Sequence, residues 1–198
     1  MTIDTPTFSR RLAAAVLVGT IAVAACLAMF LLSFGPAATE FTMATVEADV
    51  SQRFVQVRQL PAVELAARMA AGKAPLLFDV RQDAEYRVSH LDSAVRIDPE
   101  ISADDFAARY ASAAAGREVV FYCSVGMRSS SLAGETQEAL IKAGARGVYN
   151  LKGGIFAWHN ARRPLVDASG AVDMVHGYNP KWARLVERQD KVVVTPVQ

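Results

Sequence analysis

Short apolar runs alternate with amphipathic segments through the middle of the chain. Five runs are predicted to form strands: residues 55–57, 76–80, 94–97, 118–122 and 148–151. Between the last two, Leu132, Thr136 and Leu140 recur one helical turn apart and define a helix face. Strands that alternate with helices in this way are typical of α/β units, so the pattern predicts an α/β fold built on a parallel sheet.

Helix boundaries are marked by the residues that usually occupy them. Pro61 is predicted to begin the helix after the first strand, and Gly72 to end it. Ser102 is a candidate N-cap for a later helix, and Gly144 a candidate stop for the long helix that contains Leu132. The hydrophobic pattern weakens beyond Pro164, although the apolar residues near Trp182 fit one short helix.

An uncharged apolar segment from Leu12 to Phe34 precedes this pattern. Its length at helical rise matches the roughly 30 Å hydrocarbon core of a bilayer, so residues 12–34 are predicted to form a transmembrane helix. Arg10 and Arg11 come just before it and acidic residues follow, which predicts that residues 1–11 are cytoplasmic. In a bacterium, the rest would be periplasmic, on a single-pass protein of the inner membrane.

Three other readings of this segment remain open. A cleaved signal peptide usually has an apolar region of only about 7 to 15 residues, shorter than this one. Arg10 and Arg11 resemble a twin-arginine signal, but Ala13 stands where a large apolar residue is usual. Residues 23–26 resemble a lipoprotein cleavage box ending at Cys26, which we otherwise expect to be a small apolar residue of the span.

The pattern divides the chain into five parts: residues 1–11, the span 12–34, a linker over 35–50, a folded domain over 51–165 and a tail over 166–198. A chain of 198 residues has room for one ordinary domain with appendages. The 21 basic and 20 acidic side chains give a net charge of +1, which excludes non-specific nucleic-acid binding as the function. Only Cys123 of the two cysteines lies outside the span, so it can form no disulfide within the domain.

The loop that contains Cys123 carries the candidate chemistry. Residues 123–128, Cys-Ser-Val-Gly-Met-Arg, lie between a predicted strand and a predicted helix. Such a loop directs backbone N–H groups at the sulfur, and the helix dipole favours negative charge there. Arg128 adds a cation and Gly126 permits a tight turn. These effects lower a thiol pKa and favour the thiolate, so Cys123 is predicted to be a nucleophile rather than a structural core residue.

Five segments of the chain, in order, resemble the signature segments of single-domain rhodaneses. They are Asp79-Val80-Arg81, Glu85-Tyr86, residues 89–94 (Ser-His-Leu-Asp-Ser-Ala), residues 122–129 around Cys123, and residues 151–158 (Leu-Lys-Gly-Gly-Ile-Phe-Ala-Trp). The resemblance covers about Val55 to Pro164. It implies a rhodanese-like five-stranded parallel sheet flanked by helices, with the cysteine loop at the C-terminal end of a strand. Ser89 and Ser93 depart from the pattern, since many relatives have glycine there.

The resemblance also implies a reaction. Cys123 would take a sulfane sulfur from thiosulfate or a persulfide and pass it to cyanide, a small thiol or a protein thiol. The residues implied to bind the persulfide are Ser124, Val125, Gly126, Met127, Arg128 and Ser129. Asp79, Arg81 and Glu85 are expected to support the loop. Neither a metal nor another cofactor is expected.

Two other functions share these features. Phosphatases and arsenate reductases of the same fold have five residues between cysteine and arginine, whereas four separate Cys123 from Arg128. The shorter loop suits a single sulfur atom better than a tetrahedral oxyanion. The second alternative is a persulfide carrier or thiol sensor that serves a partner protein without turnover. Because Ser124 and Val125 are uncharged, Arg128 is the only cation of the loop, which weakens the case for thiosulfate as the favoured donor.

Overall fold

Five parallel strands form the central sheet of the computed structural model, which describes residues 40–194. In chain order they are β1 Arg58–Leu60, β2 Leu76–Asp79, β3 Val95–Arg96, β4 Glu118–Tyr122 and β5 Gly147–Leu151. Their order across the sheet is β1-β5-β4-β2-β3, and every neighbouring pair is parallel. The prediction of a five-stranded parallel α/β sheet is confirmed.

Helices cover both faces of the sheet. They are α1 Met43–Arg53, α2 Ala62–Ala70, α3 Asp83–Val88, α4 Ala103–Tyr110, α5 Met127–Lys142, α6 Gly154–Asn160 and α7 Pro180–Ala183. Short 3₁₀ helices occupy Ser112–Ala114 and Gln189–Lys191. Among residues 40–194, no helix combines the length and the apolar composition that a membrane crossing requires. The predicted span over residues 12–34 lies outside the described residues.

The side chains of β4 alternate between two buried clusters, as expected of a sheet covered on both faces. Val120 and Tyr122 join the cluster formed with α1, α2 and α6. Val119 and Phe121 join the cluster formed with α4 and α5. Each of these four side chains is buried, so β4 and the residue after it, Cys123, are held from both sides.

Two predicted boundaries are wrong. The first strand is Arg58–Leu60 and not residues 55–57, because Val55 is 82% exposed and lies in a turn before the sheet. The linker predicted over 35–50 does not extend that far, because α1 begins at Met43 and buries Val46 and Val50 in the core. The side chain of Thr42 caps this helix through the N–H of Thr45, at 3.2 Å.

Residues 165–194, most of which belong to the predicted tail, are folded. They contain the antiparallel pair β6 Leu165–Asp167 and β7 Gly170–Val172, and the parallel pair β8 Val175–His176 and β9 Val192–Val193. Leu185 and Val186 are buried in the same core cluster as α1. This part of the chain therefore belongs to the same compact unit as the sheet.

Of the two serines that replace glycine in the rhodanese pattern, only one occupies a conformation that favours glycine. Ser93 has φ 61°, in the left-handed region. Ser89 has φ −173°, which is extended backbone that any residue adopts. His90 between them pairs its backbone N–H and carbonyl with Val166, at 2.8 and 3.0 Å, so this turn is tied to the C-terminal segment.

Candidate active site

The sheet places Cys123 at the position where such folds bind ligands. From β2 the chain crosses to β3 on one side, whereas β4 and β5 lie on the other, so the strand order reverses between β2 and β4. Ligands bind outside the carboxyl ends of strands at such a point. Asp79 ends β2 directly opposite Tyr122, which ends β4, and Cys123 is the next residue.

Cys123 is 1% exposed, and its sulfur lies in a loop of inward-facing N–H groups. The backbone N–H of Gly126 donates to Sγ at 3.2 Å. Gly126 has φ 99°, and a Cβ there would lie 2.8 Å from Nδ2 of Asn150. Both the left-handed backbone and the crowding require glycine at this turn.

The carbonyls of the loop are held by the next helix. The N–H groups of Ile155 and Phe156 donate to the carbonyl oxygens of Cys123 and Ser124, at 2.9 and 3.1 Å. Gly154 allows this contact, since a Cβ on it would lie 2.6 Å from the Ser124 oxygen and closer still to that of Cys123. With its carbonyls bound to α6, the loop presents its N–H groups to the sulfur.

Opposing effects determine the pKa of the Cys123 thiol. Burial raises the pKa of this thiol, but the charge of Arg128 and hydrogen bonds from Ser129 and from the backbone of Val125 outweigh burial, and the pKa is lowered. The Ser129 hydroxyl also donates to Oδ1 of Asn150 at 2.6 Å. Because a hydroxyl has a single proton, we assign the effect chiefly to Arg128 and the backbone N–H groups.

Arg128 is bound by a buried carboxylate. Its Nη1 and Nη2 donate to Oε2 and Oε1 of Glu85, each at 3.0 Å, and Glu85 is fully buried. The Ser124 hydroxyl donates to the same carboxylate at 2.8 Å. Burial would raise the pKa of Glu85, but the hydrogen bond and charge of Arg128, with the charge of Arg81, hold it below its ordinary value.

Asp79 and Arg81, which were expected to support the loop, form a buried ion pair. Nε and Nη2 of Arg81 donate to the two carboxylate oxygens of Asp79, at 2.8 and 2.6 Å, and both side chains are fully buried. Nη2 also donates to the carbonyl of Ser89 at 2.7 Å. This pair fixes the end of β2 and the turn before His90, and it does not line the cavity at Cys123.

The sulfur of Cys123 faces a cavity of about 190 Å³. Loop residues and two aromatic residues from beyond Pro164 line it: Cys123, Ser124, Val125, Met127, Arg128, Tyr178 and Trp182. Gly126 and Ser129, also predicted to bind the persulfide, hydrogen-bond to the sulfur but do not line the cavity. In the described part of the chain, no group of three or more His, Cys, Asp or Glu side chains is placed to hold a metal ion.

Sequence reasoning missed three residues of this site. Asn150 near the end of β5 is fully buried and accepts a hydrogen bond from the Ser129 hydroxyl. Its position as a polar residue in a predicted buried strand could have indicated this role. Tyr178 and Trp182 reach the cavity from 55 and 59 positions away in the sequence, and no local pattern indicated this contact. Trp182, which lies in the short helix predicted near it, lines the cavity.

The family model described as Rhodanese-like domain matches residues 61–161, half of the chain. The chain belongs to the rhodanese-like family. The resemblance of the five rhodanese segments is thereby confirmed.

Individual relatives each match more than half of the chain. The sulfurtransferase of Allochromatium vinosum is 29% identical over 114 residues, covering 58% of this chain and 99% of that protein. A rhodanese-related protein of Thermoplasma volcanium matches with a TM-score of 0.43 and 20% identity, over 55% of this chain and 97% of that one. The thiosulfate sulfurtransferase of Pseudomonas aeruginosa matches with a TM-score of 0.47 and 20% identity, over 74% of this chain and 26% of that one.

The rhodanese-like domain and the sulfurtransferase relative support sulfur transfer as the general chemistry of this domain.

Proposed function

We propose that the protein is a sulfurtransferase that carries a sulfane sulfur as a persulfide on Cys123. The observation that carries this proposal is the cysteine sulfur itself, which is buried among loop N–H groups, has a lowered thiol pKa and faces a small cavity. A thiolate in such a loop is a nucleophile. A terminal sulfur added to Cys123 would extend into the cavity.

The transfer takes two balanced steps. The Cys123 thiolate attacks the outer sulfur of a donor such as thiosulfate or a persulfide, a sulfur–sulfur bond forms to Cys123, and the donor's own sulfur–sulfur bond breaks. Thiosulfate leaves as sulfite, and an organic persulfide leaves as its thiolate. In the second step a thiol or cyanide attacks the outer sulfur of the Cys123 persulfide, and Cys123 leaves as the thiolate.

The loop can stabilise Cys123 both as the thiolate and as the persulfide. Its N–H groups and Arg128 stabilise negative charge near Sγ, first on the thiolate and then on the persulfide. Because these groups are fixed before a donor arrives, little reorganisation is needed during the reaction.

Mass spectrometry of the full chain after donor treatment tests the proposal. We expect Cys123 to gain one sulfur atom from thiosulfate or an organic persulfide, and a Cys123→Ser variant to gain none at this position. Release of many equivalents of product with excess donor and cyanide would indicate turnover. Loading that is discharged only to a protein thiol would indicate a carrier. A folded protein whose Cys123 stays unmodified with every donor would refute sulfur transfer.

A further inference from the structure

Two aromatic residues from the C-terminal segment line the cavity beside the nucleophile. Tyr178 and Trp182, here called the aromatic wall, border the space above Cys123 together with Val125 and Met127. At about 190 Å³ the cavity is smaller than the roughly 300 to 1,000 Å³ of pockets that enclose a drug-sized ligand. It has room for a sulfur atom and a group up to about the size of a benzene ring, since an apolar cavity of about 150 Å³ is enough to enclose benzene.

Tyr178 is held in a strained backbone conformation. Its φ is 65°, which is unusual for a bulky residue. The N–H of Asn179 donates to the carbonyl of Gly177 at 2.8 Å across it, and the N–H of Tyr178 donates to Nδ1 of His176 at 3.0 Å. Strain of this kind persists where surrounding structure over-determines it, and such positions cluster at functional sites. The Tyr178 ring is thereby held against Arg128, whose Cζ lies 5.1 Å from the ring centroid.

Trp182 is fixed from behind by a second aromatic residue. The ring of Phe41 meets it edge-on, with centroids 5.3 Å apart and planes at 68°. The backbone N–H of Trp182 donates to Oδ1 of Asn179 at 3.1 Å, at the N-terminus of α7. The aromatic wall is therefore built into the fold.

The charge of the cavity is close to balanced. Arg128 is the cation among the described residues that line the cavity, and both of its terminal nitrogens donate to the Glu85 carboxylate. The Ser124 hydroxyl donates to that carboxylate as well. A dianion placed here would lose water against apolar side chains, while the loop N–H groups already face Sγ and the guanidinium is already paired, which is unfavourable.

We propose that the aromatic wall selects organic donors, in which the inner sulfur that bears the sulfane sulfur carries an apolar group, over thiosulfate. This inference rests on the proposed sulfur transfer through Cys123. The organic group packs against Tyr178 and Trp182 while the outer sulfur faces the thiolate. An aliphatic or aromatic persulfide or thiosulfonate has this chemistry, whereas thiosulfate presents a charged oxygen in place of the organic group.

Three donors that differ in one substituent test the selection: thiosulfate, methanethiosulfonate and benzenethiosulfonate. In each case the Cys123 thiolate bonds to the outer sulfur, the donor's sulfur–sulfur bond breaks, and sulfite or the corresponding sulfinate leaves with the electron pair. The rate constant for loading Cys123 in the full chain is measured by quenched mass spectrometry. Dividing by the rate constant for N-acetylcysteine with the same donor removes differences in intrinsic reactivity.

We expect the normalised rate constant to be highest for benzenethiosulfonate, lower for methanethiosulfonate and lowest for thiosulfate. The phenyl donor should react about tenfold faster than the methyl donor, which is the order of magnitude that one apolar group contributes in a fitted pocket. Trp182→Ala and Tyr178→Ala should each reduce the phenyl-to-methyl ratio several-fold. Trp182→Phe and Tyr178→Phe, which keep a ring, should retain most of it. Thermal unfolding of every variant shows that the comparison is made on folded protein.

The outcomes separate this inference from the function on which it rests. Loading by all three donors with thiosulfate fastest, or a phenyl-to-methyl ratio that neither alanine variant changes, would overturn the selection by the aromatic wall and leave sulfur transfer intact. Failure of every donor to load Cys123 would overturn sulfur transfer, and the selection with it.

Discussion

Glu85 holds Arg128 by both terminal nitrogens of the guanidinium, with each donor 3.0 Å from a different carboxylate oxygen. The carboxylate comes from α3 and the guanidinium from the first turn of α5, 43 positions later. Bidentate geometry fixes the orientation of an arginine as well as its position. Glu85 therefore determines where the positive charge beside Cys123 lies.

The ionisation of Cys123 should depend on this arginine. Since Arg128 favours the thiolate, we expect alkylation of Cys123 by iodoacetamide to reach half its maximal rate at a pH below about 8.5, the value for a free cysteine. Arg128→Ala removes the charge and should move the midpoint to higher pH. The measurement uses the full chain with Cys26 replaced by alanine, so that Cys123 is its remaining cysteine.

Arg87→Ala is the matched control, because Arg87 is an exposed arginine of α3 that pairs with Asp83 at the surface. It should leave the alkylation midpoint unchanged and alter stability by less than about 0.5 kcal/mol. Arg128→Ala removes the ion-pair partner of the buried Glu85 carboxylate and should also lower stability. A midpoint that Arg128→Ala does not move would assign the lowered thiol pKa to the backbone N–H groups alone.

Stability should depend on pH through Glu85. Its pKa is lower in the folded protein than its ordinary value of 4.5, so the unfolded chain binds a proton more readily. The stabilisation is therefore complete above about pH 4.5 and is lost as the pH falls through the lower folded pKa. Glu85→Gln should reduce the free energy of unfolding at pH 7 by about 3 kcal/mol, because it breaks a buried ion pair.

Urea unfolding of both proteins from pH 7 to pH 3 checks this expectation. The difference between wild type and Glu85→Gln isolates the contribution of one carboxylate, since the other titrating groups are common to both. That difference should shrink toward acid pH. A difference that stays constant from pH 7 to pH 3 would contradict the ionised state assigned to Glu85.

Gly154 should be essential for the geometry of the loop. A methyl group on it collides with the carbonyl oxygens of Cys123 and Ser124, and its φ of 58° adds strain. Gly116 is a close control, since its φ is 71° and a Cβ there meets nothing within 4 Å. We expect Gly116→Ala to cost about 1 to 2 kcal/mol of stability, the backbone term alone.

Gly154→Ala should cost more than Gly116→Ala in a urea denaturation and should also slow sulfur loading of Cys123. The second effect follows because the loop must shift to relieve the collision. Equal losses of stability in the two variants, with normal loading of both, would show that the loop tolerates displacement of its carbonyls.

The predicted membrane topology, with a span over residues 12–34 and a periplasmic domain, depends on residues outside the described range and needs its own experiment. We expect alkaline phosphatase fused after Gln198 to be active in a bacterial host, and a fluorescent protein exported through the general pathway to be dark. The full-length chain should appear in the membrane fraction. A shortened, soluble product would indicate signal cleavage, and acyl groups on Cys26 would indicate a lipoprotein. Fluorescence with inactive phosphatase would place the domain in the cytoplasm.

The sequence contains most of the information on the sheet and on the cysteine loop, because both are local. The buried strand Leu76–Asp79 begins with an apolar run of three residues, and the turn at Gly126 is encoded within a few residues of Cys123. The edge strand β1 was misplaced because Arg58 and Gln59 give no apolar pattern, whereas the exposed Val55 does. Burial at an edge depends on the neighbouring strand, which a local pattern does not contain.

The aromatic wall could not be predicted, for a related reason. Tyr178 follows a weakly patterned segment, and its contact with Arg128 arises only when α3 and β8 come together in the folded protein. The pairing of Arg128 with Glu85 rather than with solvent likewise requires the packing of α3 against the loop. Both contacts are set by tertiary structure, and both determine the charge and shape of the cavity.

The hydrogen bonds from Ile155 and Phe156 to the cysteine loop carry a consequence for folding. Because α6 restrains the loop carbonyls, most of the conformational entropy of the loop is lost when the domain folds and not when a sulfur donor arrives. Amide hydrogens of the loop and of the first turn of α6 should then exchange with solvent as one cooperative unit. The stability of the native state therefore determines how completely the cysteine loop is ordered before a sulfur donor binds.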